Sequence, residues 1–354
     1  MMRINRNNDF KRAAFFLVLL TSLFIYSCAA RTPAIKAPDS IAVLEKVTLG
    51  GVEQWLLIRG HDKSSPVLLF VHGGPGSAEM PTAHIFGDEL EKHYVVVHWD
   101  QRGAGKSYHA NIPKGSMNVS QFVSDAHELV LYLQKRFSVK KVYLIGHSWG
   151  SLLGILTVSK YPELFYAYVG MGQVVDLDQN ETISYQFVLE EARKRKDSIA
   201  IRDLEKIGPP PYKGLSELMT QRRYLNKFGG AVYDPKKSKE MYRSVLRAPE
   251  YTFFDYLKYL YGTYYSNDKM WPEVLTYNLF KQVPKVEVPV YFFEGRHDYN
   301  TPWELVQEYY NRLDAPRGKT LVWFDDSAHS PELEEPEKFT REMVRVLDET
   351  SKNK

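Results

Sequence analysis

The sequence predicts an α/β protein, a mostly parallel, doubly wound sheet with a helical cap inserted after the sixth strand. Three observations carry this. Short apolar runs of strand length alternate with amphipathic helical patterns along most of the chain. The run around 142–145 opens into Gly146-His147-Ser148-Trp149-Gly150 and then into a helical pattern that Pro162 stops. The alternation breaks once, between about 176 and 285, where only helical patterns remain.

Taken in order, 41–49 and 52–59 read as two strands joined at Gly50-Gly51, a plausible hairpin. The continuous apolar runs 66–72 and 94–99 read as buried strands, with a helix over 82–92 between them. Residues 118–137 place Val119, Phe122, Val123, Ala126, Leu129, Val130 and Leu133 on one helical face. After the strand–turn–helix around Ser148 come strands at 166–171, 289–294 and 320–324, with helices over 303–313 and 336–347. At 354 residues, with 44% hydrophobic and 25% charged, the length suits one catalytic unit plus an insertion. The boundaries expected are 41–175 and 286–350 for the core and 176–285 for the cap. A net charge of +3 gives no support to a nucleic-acid partner.

Residues 1–28 read as a signal peptide. Arg3, Arg6, Lys11 and Arg12 precede the apolar run 13–25, which has the length of a signal core and falls short of the roughly 20 apolar residues a membrane span needs. Cys28, the one cysteine in the chain, closes this stretch. The segment resembles a bacterial lipoprotein signal, with Tyr26 where a small or aliphatic residue is usual. The resemblance implies lipidation of Cys28, export, and a membrane reached through a lipid anchor. The other reading is a plain secretory signal cut near Ala30. Residues 29–40, with Pro33 and Pro38, read as a tether.

Gly-x-Ser-x-Gly between a strand and a helix is the pattern of a nucleophile elbow. The serine needs a tight, strained turn to stand clear of the sheet, and Trp149 N–H then lies at a helix start, where free donors face a developing oxyanion. A serine hydroxyl also needs a base and a carboxylate that orients the base, and both follow the serine in chain order in this architecture. The strand 289–294 runs into Gly295-Arg296-His297-Asp298, and the strand 320–324 into Asp325-Asp326-Ser327-Ala328-His329. Asp298 and His329 are therefore the expected acid and base. Asp176 is the alternative acid, while His297, Asp325 and Asp326 can serve local hydrogen bonds. A second oxyanion donor is expected from His72-Gly73-Gly74-Pro75-Gly76, with Gly74 first and Gly73 second.

HGGPG at 72–76, WDQRGAGKS at 99–107, GHSWGS at 146–151 and GRHD at 295–298 together resemble the proline iminopeptidase family of α/β-hydrolases. The resemblance covers about 45–175 and 285–345. It implies the α/β-hydrolase fold and a serine peptidase that releases an N-terminal residue, often proline, from short peptides through an acyl-enzyme. Ser148 would be nucleophile, Asp298 acid, His329 base, and Gly74 with Trp149 the oxyanion hole. Family members bind the substrate's amino group with cap glutamates, one in a W-x-x-W-E segment that this chain lacks. Glu190, Glu191, Glu205, Glu217 and Asp255 are the cap carboxylates available. The same triad serves an esterase or small-amide hydrolase equally well, and a non-catalytic surface lipoprotein is a further alternative. No metal spacing occurs and no cofactor is implied. The aromatic tract 251–265 reads either as packing between cap helices or as an aromatic roof over the substrate.

Overall fold

The computed structural model describes residues 30–351, so the stretch read as a signal peptide and Cys28 lie outside the described residues. One eight-stranded sheet runs in the order β1-β2-β4-β3-β5-β6-β7-β8. Strands β1 (Ile41–Leu49) and β2 (Val52–Gly60) form the expected hairpin, and β2 also pairs antiparallel with β4 (Val95–Asp100). From there the sheet is parallel through β3 (Val67–Val71), β5 (Val142–His147), β6 (Phe165–Met171), β7 (Val290–Gly295) and β8 (Lys319–Phe324).

The helices follow in chain order. Before the elbow come α1 (Ala83–Leu90) and α2 (Val119–Phe137), and after it α3 (Trp149–Lys160). Between β6 and β7 lie α4 (Leu177–Lys194), α5 (Ser198–Ile207), α6 (Leu215–Phe228), α7 (Pro235–Val245), α8 (Phe253–Val274) and α9 (Leu279–Gln282). The last three are α10 (Trp303–Arg312), α11 (Pro331–Glu334) and α12 (Pro336–Ser351).

Every residue of β3, β4 and β5 is buried, as a central strand covered on both faces requires. The period of two splits them between two cores. Leu69, Val71, Val97 and Leu144 pack with α2, α3 and α10, whereas Leu68, Phe70, Val96 and Ile145 pack with α1 and α12. Between β6 and β7, Tyr185 and Val188 of α4, Leu204 of α5 and Tyr224 and Leu225 of α6 form a separate small core.

The DQRGAGKS segment proves to be scaffolding. Buried Arg102 makes a two-pronged ion pair with Asp125 of α2, both bonds 2.9 Å, and donates to the carbonyls of Leu49 and Gly50 at 3.2 and 3.1 Å. One side chain thus ties the hairpin turn to α2 and to the end of β4. Ser107 Oγ donates to Asp100 O and accepts the Trp55 amide, closing the loop onto β2. The stretch read as a tether is hydrogen-bonded to the fold from Arg31 onward. The Arg31 amide donates to Pro249 O at 3.1 Å, and Arg59 donates to Thr32 Oγ1 and Pro33 O.

Candidate active site

Ser148 stands between β5 and α3 with φ 55° and ψ −122°, a left-handed conformation that costs a non-glycine residue about 1–3 kcal/mol. Close packing holds it there. A Cβ on Gly150 would stand 2.0 Å from Val71 O, and one on Gly146 would stand 2.2 Å from Gly150 O, so strand and helix meet only without side chains. The Ser148 amide donates to Met171 O at 2.9 Å. Trp149 opens α3, so its N–H belongs to the first turn, where donors lack helical partners.

His329 and Asp298 come together as a buried pair. His329 Nδ1 lies 2.7 Å from Asp298 Oδ2. A carboxylate can only accept, so Nδ1 carries the proton and Nε2 is left as the basic nitrogen. Asp298 is fully buried and also accepts Thr301 Oγ1 at 2.8 Å on the same oxygen. Its other oxygen accepts the Asn300 and Thr301 amides at 2.8 and 2.9 Å. Burial, together with the negative charge of Asp298, pushes the neighbouring Glu294 carboxyl well above its ordinary range. Ser148, His329, Gly73, Gly74 and Trp149 line one cavity of about 320 Å³, roofed by residues of α4, α6 and α8.

The rivals are occupied elsewhere. Asp176 caps α4 through the Gln179 amide and pairs with Asn278. His297 stacks on Tyr233 with ring centroids 3.6 Å apart, and Asp325 pairs with Arg296 and Lys338. Of the two glycines proposed as oxyanion donors, Gly73 gives its N–H to Glu79 Oε1 at 3.3 Å.

Sequence reasoning passed over the residues that hold these parts together. His147 donates from Nε2 to the His329 carbonyl at 2.8 Å and from Nδ1 to Glu79 Oε1. Both partners are acceptors, so both ring nitrogens carry protons and His147 is a cation. Burial opposes that charge, but Glu79, with Glu332 and the hydrogen bonds, outweighs it and raises His147 to about 10. Burial also works against the Glu79 carboxylate, yet the facing His147 charge holds it below its ordinary value. Gln101 Nε2 donates to His72 O at 2.9 Å while its Oε1 accepts the Trp149 indole at 2.9 Å, joining the oxyanion loop to the elbow.

The cap carboxylates available in the sequence do not line the cavity. Glu190 is exposed, Glu191 pairs with Arg195, Glu205 with Arg193, Glu217 accepts the Lys213 amide, and Asp255 pairs with Lys106 at 2.6 Å. The carboxylates that do line it are Glu79 and Glu181, the latter paired with Arg222. Neither lies in a pattern that marks it in the sequence. The aromatic roof fails too. From α8 the cavity receives Thr263, Asn267, Trp271 and Val274, while Phe253, Phe254, Leu257, Leu260, Tyr261 and Tyr264 point outward.

A strained serine at a strand–helix turn, with an aspartate-held histidine in the same cavity, defines a site of the α/β-hydrolase type. The chain belongs to the α/β-hydrolase fold family, whose model matches residues 66–336. It is 36% identical over 312 residues to a Bacillus subtilis (strain 168) protein named "Probable aminopeptidase YbaC", covering 88% of this chain and 98% of that protein. In fold it is similar to the proline iminopeptidase of Mycobacterium smegmatis (TM-score 0.63, 17% identity, 87% of this chain and 98% of that one). It is also similar to an esterase from Rhodococcus sp. ECU1013 (TM-score 0.59, 15% identity, 86% and 98%). At those identities the structural likeness speaks to fold alone.

Proposed function

We propose that this hydrolase is a serine aminopeptidase that releases N-terminal residues from short peptides through an acyl-enzyme. Ser148 is the nucleophile, His329 Nε2 takes and returns its proton, and Asp298 fixes the imidazole tautomer. Trp149 N–H and Gly74 N–H stabilise the oxyanion. The observation that carries the reading is His329, held by buried Asp298, in one cavity with a serine at φ 55°.

Selection for a free amine is supported by Glu79 and Glu181. Each has an Oε2 that is buried and has no hydrogen-bond partner among the described residues. A substrate ammonium has donors to offer both, and buried polar atoms without partners cost about 1–3 kcal/mol each. The name of the Bacillus relative agrees with this reading.

A second reading, an esterase or small-amide hydrolase, rests on charge. Glu79 faces His147 and Glu181 faces Arg222, so both carboxylates are already neutralised. Turnover of an aminoacyl-naphthylamide beside its N-acetyl form separates the two. The aminopeptidase rejects the blocked substrate, and Glu181→Gln raises KM for the free amine alone. Equal turnover of both forms contradicts the aminopeptidase and favours the second reading.

For the N-terminus, the proposal is export as a lipoprotein of the cell envelope anchored through Cys28. It is supported by the basic residues, the apolar run 13–25 and the single cysteine at its end.

A further inference from the structure

The outward face of α8 is unlike the rest of the surface. Phe253, Phe254, Leu257, Leu260, Tyr261 and Tyr264 are between 38 and 65% exposed. Positions 253, 257, 260 and 264 follow i, i+4, i+7 and i+11, with 254 and 261 beside them, so the six form one continuous stripe. Leu246, at the end of α7, is 70% exposed as well. Soluble monomers rarely leave such a contiguous patch bare.

The helix cannot turn the stripe inward. Its other face is fastened to the loops around the active site. Thr263 Oγ1 donates to Gly76 O at 2.9 Å, Ser266 Oγ to Gly103 O at 3.0 Å, and Asn267 Nδ2 to Pro75 O at 2.8 Å. The start of the helix is locked by a capping box between Thr252 and Asp255, and Asp255 also holds buried Lys106.

What covers the stripe follows from where the chain enters the fold. The Arg31 amide is hydrogen-bonded to Pro249 O, four positions before Phe253, and Arg59 grips Thr32 and Pro33. Cys28 is three residues upstream of Arg31 and the apolar run 13–25 lies just before it. Three residues reach roughly 10 Å when fully extended. A lipid anchor on Cys28 would hold the bilayer surface within that reach of Arg31, close to the segment that leads into α8. Phe, Leu and Tyr on one helical face are the side chains that settle into the boundary between headgroups and acyl chains. Arg243 and Arg247, exposed beside Leu246, suit anionic headgroups.

We infer that the outer face of α8 is a membrane-docking surface, seated on the lipid bilayer to which the N-terminus is anchored, so that the roof of the active-site cavity lies against the membrane. The inference rests on the anchor reading but not on the identity of the substrate.

The test uses the full chain reconstituted into vesicles of phosphatidylethanolamine and phosphatidylglycerol, with the photo-crosslinker p-benzoylphenylalanine in place of Leu260. A parallel protein carries it in place of Tyr264, and a control in place of exposed Arg317, which precedes β8 at the opposite end of the sheet. After irradiation, lipid adducts at 260 and 264 are expected to exceed those at 317 by about tenfold. Lipid adducts no more abundant than at 317 overturn the docking surface while leaving the anchor standing. Crosslinks to a second copy of the chain overturn it in favour of a dimer face. Protein that fails to float with the vesicles overturns the anchor reading and the docking surface together.

Discussion

His147 Nε2 donates to the main-chain carbonyl of His329 at 2.8 Å, so the residue before the proposed nucleophile holds the loop that carries the proposed base. Glu79 completes the arrangement, because the oxygen that accepts from His147 also accepts the Gly73 amide. One buried ion pair therefore sets three loops relative to each other.

Breaking that pair on one side leaves a buried charge without its partner, which typically costs about 3–5 kcal/mol. His147→Gln is expected to lower the thermal midpoint accordingly and to reduce kcat on the order of 100-fold through misplacement of His329. Adding Glu79→Gln removes the stranded charge, so the double variant regains most of the stability but little of the kcat. Melting curves and steady-state kinetics of the three proteins check this. A single variant with full kcat would separate the pair from the active geometry.

The same pair fixes an alkaline limit. His147 is raised to about 10 from an ordinary 6.5, so the folded protein holds this proton more tightly than the unfolded chain between those values. Its contribution is complete below about pH 6.5 and drains away as pH rises through about 10. Thermal midpoints measured from pH 7 to 10 are expected to fall more steeply for the wild type than for the His147→Gln, Glu79→Gln double variant.

Acid sensitivity has a separate source in His98. Burial against Phe70, the dominant cause, lowers its pKa to about 4, and its Nδ1 has no hydrogen-bond partner among the described residues. The unfolded chain takes up this proton below about 6.5 while the folded protein resists it down to about 4. Stability from this group is thus full above 6.5 and is lost as pH falls, by on the order of 3 kcal/mol. His98→Phe is expected to lose less stability than wild type between pH 7 and 4.5 in urea titrations.

Arg102 offers the contrast of a motif residue remote from the proposed chemistry. Arg102→Lys cannot reproduce the fork on Asp125 or reach Leu49 O, Gly50 O and Ser116 together. A loss of about 1–3 kcal/mol is expected, since the charge is kept and hydrogen bonds to buried acceptors are lost, with kcat per folded molecule unchanged. A fall in kcat at temperatures where the variant remains folded would show that the motif shapes the site.

How much of this is legible in the sequence depends on whether a residue's role is local. The elbow reads directly, because strand, glycines and helix are adjacent in the chain. Asp298 and His329 read from their positions at the ends of β7 and β8, since a parallel sheet delivers all its strand ends to one rim. Glu79–His147 and Glu181–Arg222 join residues 68 and 41 positions apart, and nothing in their neighbourhoods marks them. The tract 251–265 misleads for another reason. Its aromatic density is visible, but which helical face turns inward is decided by Thr263, Ser266 and Asn267 bonding to glycine-loop carbonyls.

The most direct measurement is mass analysis of the folded protein after exposure to a fluorophosphonate, which phosphonylates only an activated serine. A single adduct is predicted, mapping to the peptide that contains Ser148. Its formation is expected to slow by about 10⁴ in Asp298→Asn, as for the buried acid of other serine triads. No adduct on wild-type Ser148, or an unchanged rate in Asp298→Asn, would contradict the account.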